Sequence, residues 1–311
     1  MNTDLSIIKK QKRIRKTRST LITYLMLSPC LVVLVCFVLY PLLWVLRYAF
    51  FEYDGFRTAK FVGLYNFIRV FTRDADYWKS VANTAIYAVG KLIITVPLSF
   101  LLALLFNSRL RMKSVFKAVV FMPTVISTAV MSMIFYFMFN SYNGIVNQML
   151  MKASLITQPI EWFGRDTAMI TAILVAIWGA VGNYMIYFLS GLQTVPEELY
   201  EVAKLDGANY FQTLIYVVLP VLGPVLQTVL MLAIVTSLKG FESIMVLTGG
   251  GPAGATDVMY LYVYRAFFPM QGEASFTPQY GYGSAVAIVT ALIAGVITVV
   301  YLRVSRNMDG E

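Results

Sequence analysis

The chain has 311 residues, of which 59% are hydrophobic and only 13% charged, and its mean hydropathy is +0.70. A soluble domain is about half apolar and about a quarter charged, so the charges here cannot cover a water-facing surface and a soluble globular protein is excluded. The net charge of +9 comes without a single histidine, which removes Ser–His–Asp catalysis and the commonest metal ligand.

Six stretches are long and apolar enough to cross a hydrocarbon core as helices: 21–46, 83–106, 118–139, 168–191, 214–238 and 282–302. An arm at 1–20 with seven basic residues precedes the first. That first stretch is too long for a signal h-region and no small-residue cleavage site follows, so it reads as a retained span. Cys30 and Cys36 both lie in it on different helix faces, which indicates neither a disulfide nor a metal site. The segment 58–79 mixes Phe, Tyr and Trp with Arg and Lys, the composition of an interfacial helix and of a docking platform. Lys91 is the one full charge deep in a span, about 12 Å from its outer end. Outward snorkelling or pairing at a subunit contact is the expected role.

The loop 107–117 carries Arg109, Arg111, Lys113 and Lys117 and no acid, which marks it as cytoplasmic. With the amino terminus inside, inner segments hold 14 basic residues and the much longer outer segments hold 10. Both termini are therefore expected in the cytoplasm, with a short tail at 304–311. The positive charge reads as insertion bias, so nucleic acid is not an expected partner. Membrane lipids are the expected surroundings.

Polar side chains inside spans tend to face the bundle interior. Span three offers Ser127, Thr128 and Ser132; span four offers Trp178, Asn183 and Tyr187; span five offers Gln227, Thr228, Thr236 and Ser237. Ala176, Ala180, Asn183 and Tyr187 share one face at helical spacing. Neutral hydrogen-bonding groups beside aromatic faces suit a hydroxyl-rich, uncharged solute such as a sugar. Trp178, Asn183, Tyr187, Gln227, Thr236 and Ser237 are the candidate pathway residues, Asn183 first among them. Helix–helix packing accounts for the same residue types, and both readings stand at this level.

The inner segment 193–213 breaks the basic-inside pattern with Glu197, Glu198, Glu201 and Asp206 against the single base Lys204. Pro196 suits a first helical position, and the two leading glutamates complement the positive end of the dipole. Leu199, Val202 and Ala203 make a small apolar face, and Gly207 suits a left-handed stop before Ala208. A second short helical piece is expected over 208–214. The pattern is that of a rigid docking helix with a charged rim; a solvated re-entry loop is the plainer alternative.

Further on, "GGGPAGAT" at 249–256 matches the phosphate loop G-x-x-x-x-G-K-[ST] except that Ala255 replaces the lysine. No α/β domain surrounds it, so a nucleotide site in this chain is not expected. No metal motif or paired-carboxylate site appears, and no carboxylate lies deep in a span. That counts against an ion-driven secondary transporter with Lys91 and Glu242 in a relay. A transport-inactive membrane scaffold is a further rival.

The run Glu201-Val202-Ala203, three residues, Gly207, then Leu219-Pro220 resembles the EAA loop (194–220 here) of permease subunits of ABC importers. "VPEELYEVAKLDGA" is similar to the carbohydrate-uptake branch, although the family prefers alanine at Val202. "FVGLYNFIRVFTRDADYWKSVANT", "VLTGGGPAGATDVMYLYVYRAF" and "YGYGSAVAIV" resemble segments of the same branch, especially the larger maltose-permease half. The resemblance implies an all-α, six-helix type I importer permease domain over 21–303 with a cytoplasmic coupling helix. It assigns ATPase coupling to the region Glu197 to Ala208, through Glu197, Glu198, Leu199, Glu201, Val202, Ala203, Lys204, Asp206, Gly207 and Ala208. It further implies a second homologous permease, two ATPase subunits that bind ATP and Mg, an extracytoplasmic substrate-binding protein and a carbohydrate substrate. No cofactor is expected in this chain, and the location implied is a bacterial or archaeal cytoplasmic membrane, with multiple passes. A glycerol-phosphate-type solute is the alternative cargo.

Overall fold

The computed structural model describes residues 20, 22–108, 112–269 and 277–308. Most of the basic arm, together with Arg109, Arg111 and 309–311, lies outside them. In chain order come α1 (Ile22–Tyr48), a two-stranded ribbon β1 (Phe51–Glu52) and β2 (Lys60–Phe61), α2 (Tyr65–Thr72), α3 (Ala75–Asn107), α4 (Lys113–Val125) and α5 (Thr128–Met138). Then follow α6 (Ile145–Lys152), α7 (Ala168–Leu192), α8 (Glu197–Leu205), α9 (Tyr210–Val221), α10 (Gly223–Leu238), α11 (Glu242–Leu247), α12 (Met259–Phe267) and α13 (Tyr280–Met308).

Four helices, α1, α3, α7 and α13, are each long and apolar enough to cross a membrane unbroken. The third and fifth expected spans are not single helices: α4 and α5 meet at 99°, and α9 and α10 at 73°. The reason is local. Pro123 lies in the last turn of α4, and Ile126 and Ser127 both leave the helical region, each with ψ of 135°. In the second pair, Pro220 and Pro224 each remove a backbone donor on either side of Leu222. The final helix also runs past 302 to Met308, so part of the expected tail is helical.

The centre of the fold is the seam between α3 and α7. Asp74 caps α3 by accepting from the Tyr77 amide at 3.0 Å, and the 33-residue helix is about 50 Å long, well beyond the bilayer core. Ser99 donates to the Val181 carbonyl at 2.9 Å across the seam. Phe188, Leu192, Val218 and Leu222 extend the packing toward α9 and α10. Gly182 lets α4 approach α7, because a Cβ there would overlap the Val120 carbonyl oxygen and sit 2.9 Å from the Phe121 Cα. By contrast, α1 is exposed from Ile22 to Leu43 and meets the remainder near its end, where Trp44 lies edge-on to Tyr53 and Tyr280 and Tyr48 packs on Tyr53.

The start of α3 is tied to the glycine-rich loop. Lys79 Nζ donates to the Ala253 carbonyl, and Asn83 Nδ2 to those of Gly254 and Asp257, at 2.9 to 3.0 Å. Arg265 pairs with Asp257 at 2.9 Å. The loop amides are turned inward: Gly251 donates to the Thr248 carbonyl, Ala255 to that of Pro252 and Thr256 to that of Gly250. A phosphate cradle instead directs its amides toward the ligand. Beside the loop, the hydroxyls of Tyr262 and Tyr282 both donate to Asp74, and Arg69 lies 3.9 Å over the Tyr282 ring. Burial, reinforced by the bond to Asp74, pushes the Tyr262 phenol up. Next to this cluster α2 exposes Leu64, Ile68 and Phe71 on one side, in the manner of an interfacial helix.

Candidate functional site

At the far end of α3, α7 hands over to the acidic loop. Val195 is buried against Leu192 and Val218. Pro196 is the residue before the helix and not its first turn, with ψ of 137°. Glu197 and Glu198 then occupy the first turn of α8 and Lys204 the last, matching the dipole at both ends. The stop is a Schellman motif: Ala208 N–H donates to the Ala203 carbonyl at 2.9 Å and Gly207 N–H to that of Lys204 at 3.2 Å. Gly207 has φ of +76°, which a residue with a Cβ adopts only at a cost.

The second helical piece begins at Tyr210, two residues later than the sequence suggests, because Asn209 and Gln212 form a reciprocal capping box. No break intervenes between that cap and α9, so α8 is joined through a short rigid turn to the α9–α10 pair.

The expected apolar face of α8 is split in two. Leu199 and Ala203, four apart, face the bundle. Val202 points outward at 53% exposure, together with Leu205 at 86%. Glu197, Glu198, Glu201 and Asp206 are exposed around them, and Phe211 adds a ring beyond the turn. Sequence reading missed Leu205 and Phe211. The signal was the three-residue spacing of Val202 and Leu205 on a helix otherwise rich in charge. Tyr200 turns the other way and, with Lys204, lines a groove against Leu104 and Asn107 at the end of α3. Burial pushes the Tyr200 phenol up, and Tyr210 adds to that.

Between α3, the α4–α5 bend, α7 and the end of α10 lies a cavity of about 500 Å³. Pro123, Thr124, Ile126 and Thr128 of the bend form one wall, which is where irregular backbone is tolerated at membrane depth. Ala176, Ala180, Asn183 and Tyr184 form the α7 wall, and Thr236, Lys239 and Glu242 the α10–α11 wall. The hydroxyls of Tyr184 and Thr236 are 2.8 Å apart, and those of Tyr87 and Ser243 are 3.4 Å apart.

Of the candidate pathway residues, the structure brings Asn183 and Thr236 together on this cavity. Trp178 lies edge-on to Phe135 at 5.1 Å and Tyr187 is on the outside of α7. Gln227 Nε2 donates to the Ser305 carbonyl at 3.4 Å, so it sits at the α10–α13 contact. Ser237 is buried away from the cavity lining. Tyr87 and Tyr184 were missed, since a tyrosine on an apolar span gives no sign of which way it faces.

Lys91 also differs from expectation. It sits at the midpoint of α3, sixteen residues from each end. Its side chain is buried within this chain and lines the cavity.

Comparison with known proteins places these features. Residues 95–310 match the family model described as "Binding-protein-dependent transport system inner membrane component". The trehalose/maltose transport system permease protein of Thermococcus litoralis is 32% identical over 293 residues, covering 94% of this chain and 96% of the relative. The arabinooligosaccharides transport system permease protein of Bacillus subtilis is 33% identical over 294 residues, covering 93% and 90%. A solved bacterial ABC transporter that imports the acidic polysaccharide alginate shares the fold, with a TM-score of 0.81 at 24% identity over 95% of this chain and 99% of that one.

Proposed function

Because the chain belongs to the family of binding-protein-dependent transport system inner membrane components, and so is a membrane-embedded permease, we propose that it carries a sugar or oligosaccharide inward by alternating access. Curated relatives over nearly the whole length are named for saccharide transport, and the neutral hydrogen-bonding groups on the cavity suit hydroxyls.

The observation that carries the mechanism is α8. Its inner residues Leu199 and Ala203 hold it to the bundle, its outer residues Val202 and Leu205 are free for a partner, and its stop leads without slack into α9. The partner we propose is an ATPase subunit, one of two, with ATP and Mg bound there and not in this chain. Closure of the ATPase pair would pull on α8. The pull passes through the Asn209 cap and α9 to α10, whose Thr236 lies on the cavity. A second homologous permease would complete the path, and a substrate-binding protein would deliver the solute at the end of the bundle that holds α2 and the glycine-rich loop. The setting is the cytoplasmic membrane of a bacterium or archaeon.

The test is to purify the chain from its native membrane, identify what copurifies, and screen solutes for stimulation of ATP hydrolysis. An ATPase subunit and a saccharide that stimulates it are expected. A complex without ATPase, or one stimulated by no saccharide, would refute the reading.

A further inference from the structure

Lys91 is 7% exposed at the midpoint of α3 and lines the cavity. Among the described residues it has no ion pair and no hydrogen bond; the two ion pairs are Arg57 with Asp54 and Arg265 with Asp257. Its neighbours across the cavity do not relieve it. Glu242 lines the same space beyond ion-pair distance, and Lys239 adds a second positive charge to that wall. The Tyr87 and Tyr184 hydroxyls are engaged with Ser243 and Thr236.

A buried ammonium is costly unless an anion or several acceptors meet it. Intramembrane charges that face a cavity mark the path of a solute. The remaining lining offers neutral donors and acceptors in Asn183 and Thr124, and the volume is within the range of small-molecule sites.

We propose that Lys91 is the anion-recognising contact of this cavity, and that the cargo is an acidic saccharide whose carboxylate meets the ammonium in mid-membrane. This rests on the cavity being a saccharide path. Lys91 fixes the charged group while Asn183 and Thr124 take hydroxyls, so a neutral sugar of equal size forfeits the strongest contact.

The test uses the complete importer purified with this chain, in detergent, without its binding protein. Calorimetry measures binding of digalacturonate, its uncharged dimethyl ester, and maltose, in wild type, Lys91→Gln and Lys91→Arg. The acid is expected to bind at least tenfold more tightly than its ester or maltose. K91Q abolishes the difference between acid and ester, and K91R keeps it. The acid–ester comparison needs no variant, so a poorly folding K91Q leaves the test intact. Equal affinity for acid and ester in wild type overturns the charge assignment while the saccharide path stands. Binding of none of the three overturns the saccharide path and this inference with it.

Discussion

Substitution at Gly207 separates a coupling helix from a passive loop, because the effect follows backbone conformation and no side-chain contact. With φ of +76° and no atom within 4 Å of a Cβ built there, the position has room for a side chain but resists its geometry. Asparagine visits the left-handed region readily, so Gly207→Asn is expected to retain most function. Alanine costs about 1 kcal/mol or somewhat more in that region, which is about a fivefold loss in the population of the formed stop. Proline reverses the sign of φ and removes the N–H that bonds the Lys204 carbonyl, at roughly 3 kcal/mol or more, and on the order of a hundredfold loss. The assay is saccharide-stimulated ATP hydrolysis by the reconstituted importer, with membrane insertion checked by yield. The expected order is Gly, Asn, Ala, Pro, with insertion unchanged throughout. Full stimulation in Gly207→Pro, or indistinguishable Asn and Pro variants, would refute the reasoning.

Other outcomes follow from the same geometry. Leu205→Asp, at a position 86% exposed, should leave accumulation of the permease unaltered yet cut recovery of the ATPase subunit in pull-downs at least tenfold. Reversing the rim with Glu201→Lys should abolish stimulated ATP hydrolysis with insertion intact. Gly182→Val drives a side chain into the Val120 carbonyl and the α4 backbone, costing about 1–3 kcal/mol; a lower melting temperature in detergent checks this. Asn83→Ala removes two hydrogen bonds to the carbonyls of Gly254 and Asp257, each worth about 1 kcal/mol. Amide exchange in 249–257 should accelerate at least tenfold while α7 is unaffected.

What could be read from sequence was whatever short-range rules control. The lengths of apolar stretches marked the membrane segments, and the Glu197–Gly207 run displayed a helix start, a dipole match and a left-handed stop. Other features needed the tertiary structure. In lipid-facing spans periodicity is weak, so nothing between 118 and 139 announced a 99° bend except Pro123, and a proline in a span need not break it. The spacing of Leu199, Val202 and Ala203 defined a helical neighbourhood without saying that Val202 would face away from the other two. Tyr187 shared a stripe with Asn183, yet it faces outward while Tyr184 reaches the cavity, because spacing alone does not say where along a stripe a cavity ends. Lys91 stood out as a lone charge in an apolar stretch, but only the packing of α3 shows its side chain turned into the cavity.

The most direct measurement of the central claim is uptake of labelled saccharide into vesicles holding the reconstituted importer with its binding protein. The account predicts uptake that requires ATP, persists when proton and sodium gradients are collapsed, and disappears in Gly207→Pro. Accumulation by this chain alone under an ion gradient, without ATP and unaffected by Gly207→Pro, would contradict it.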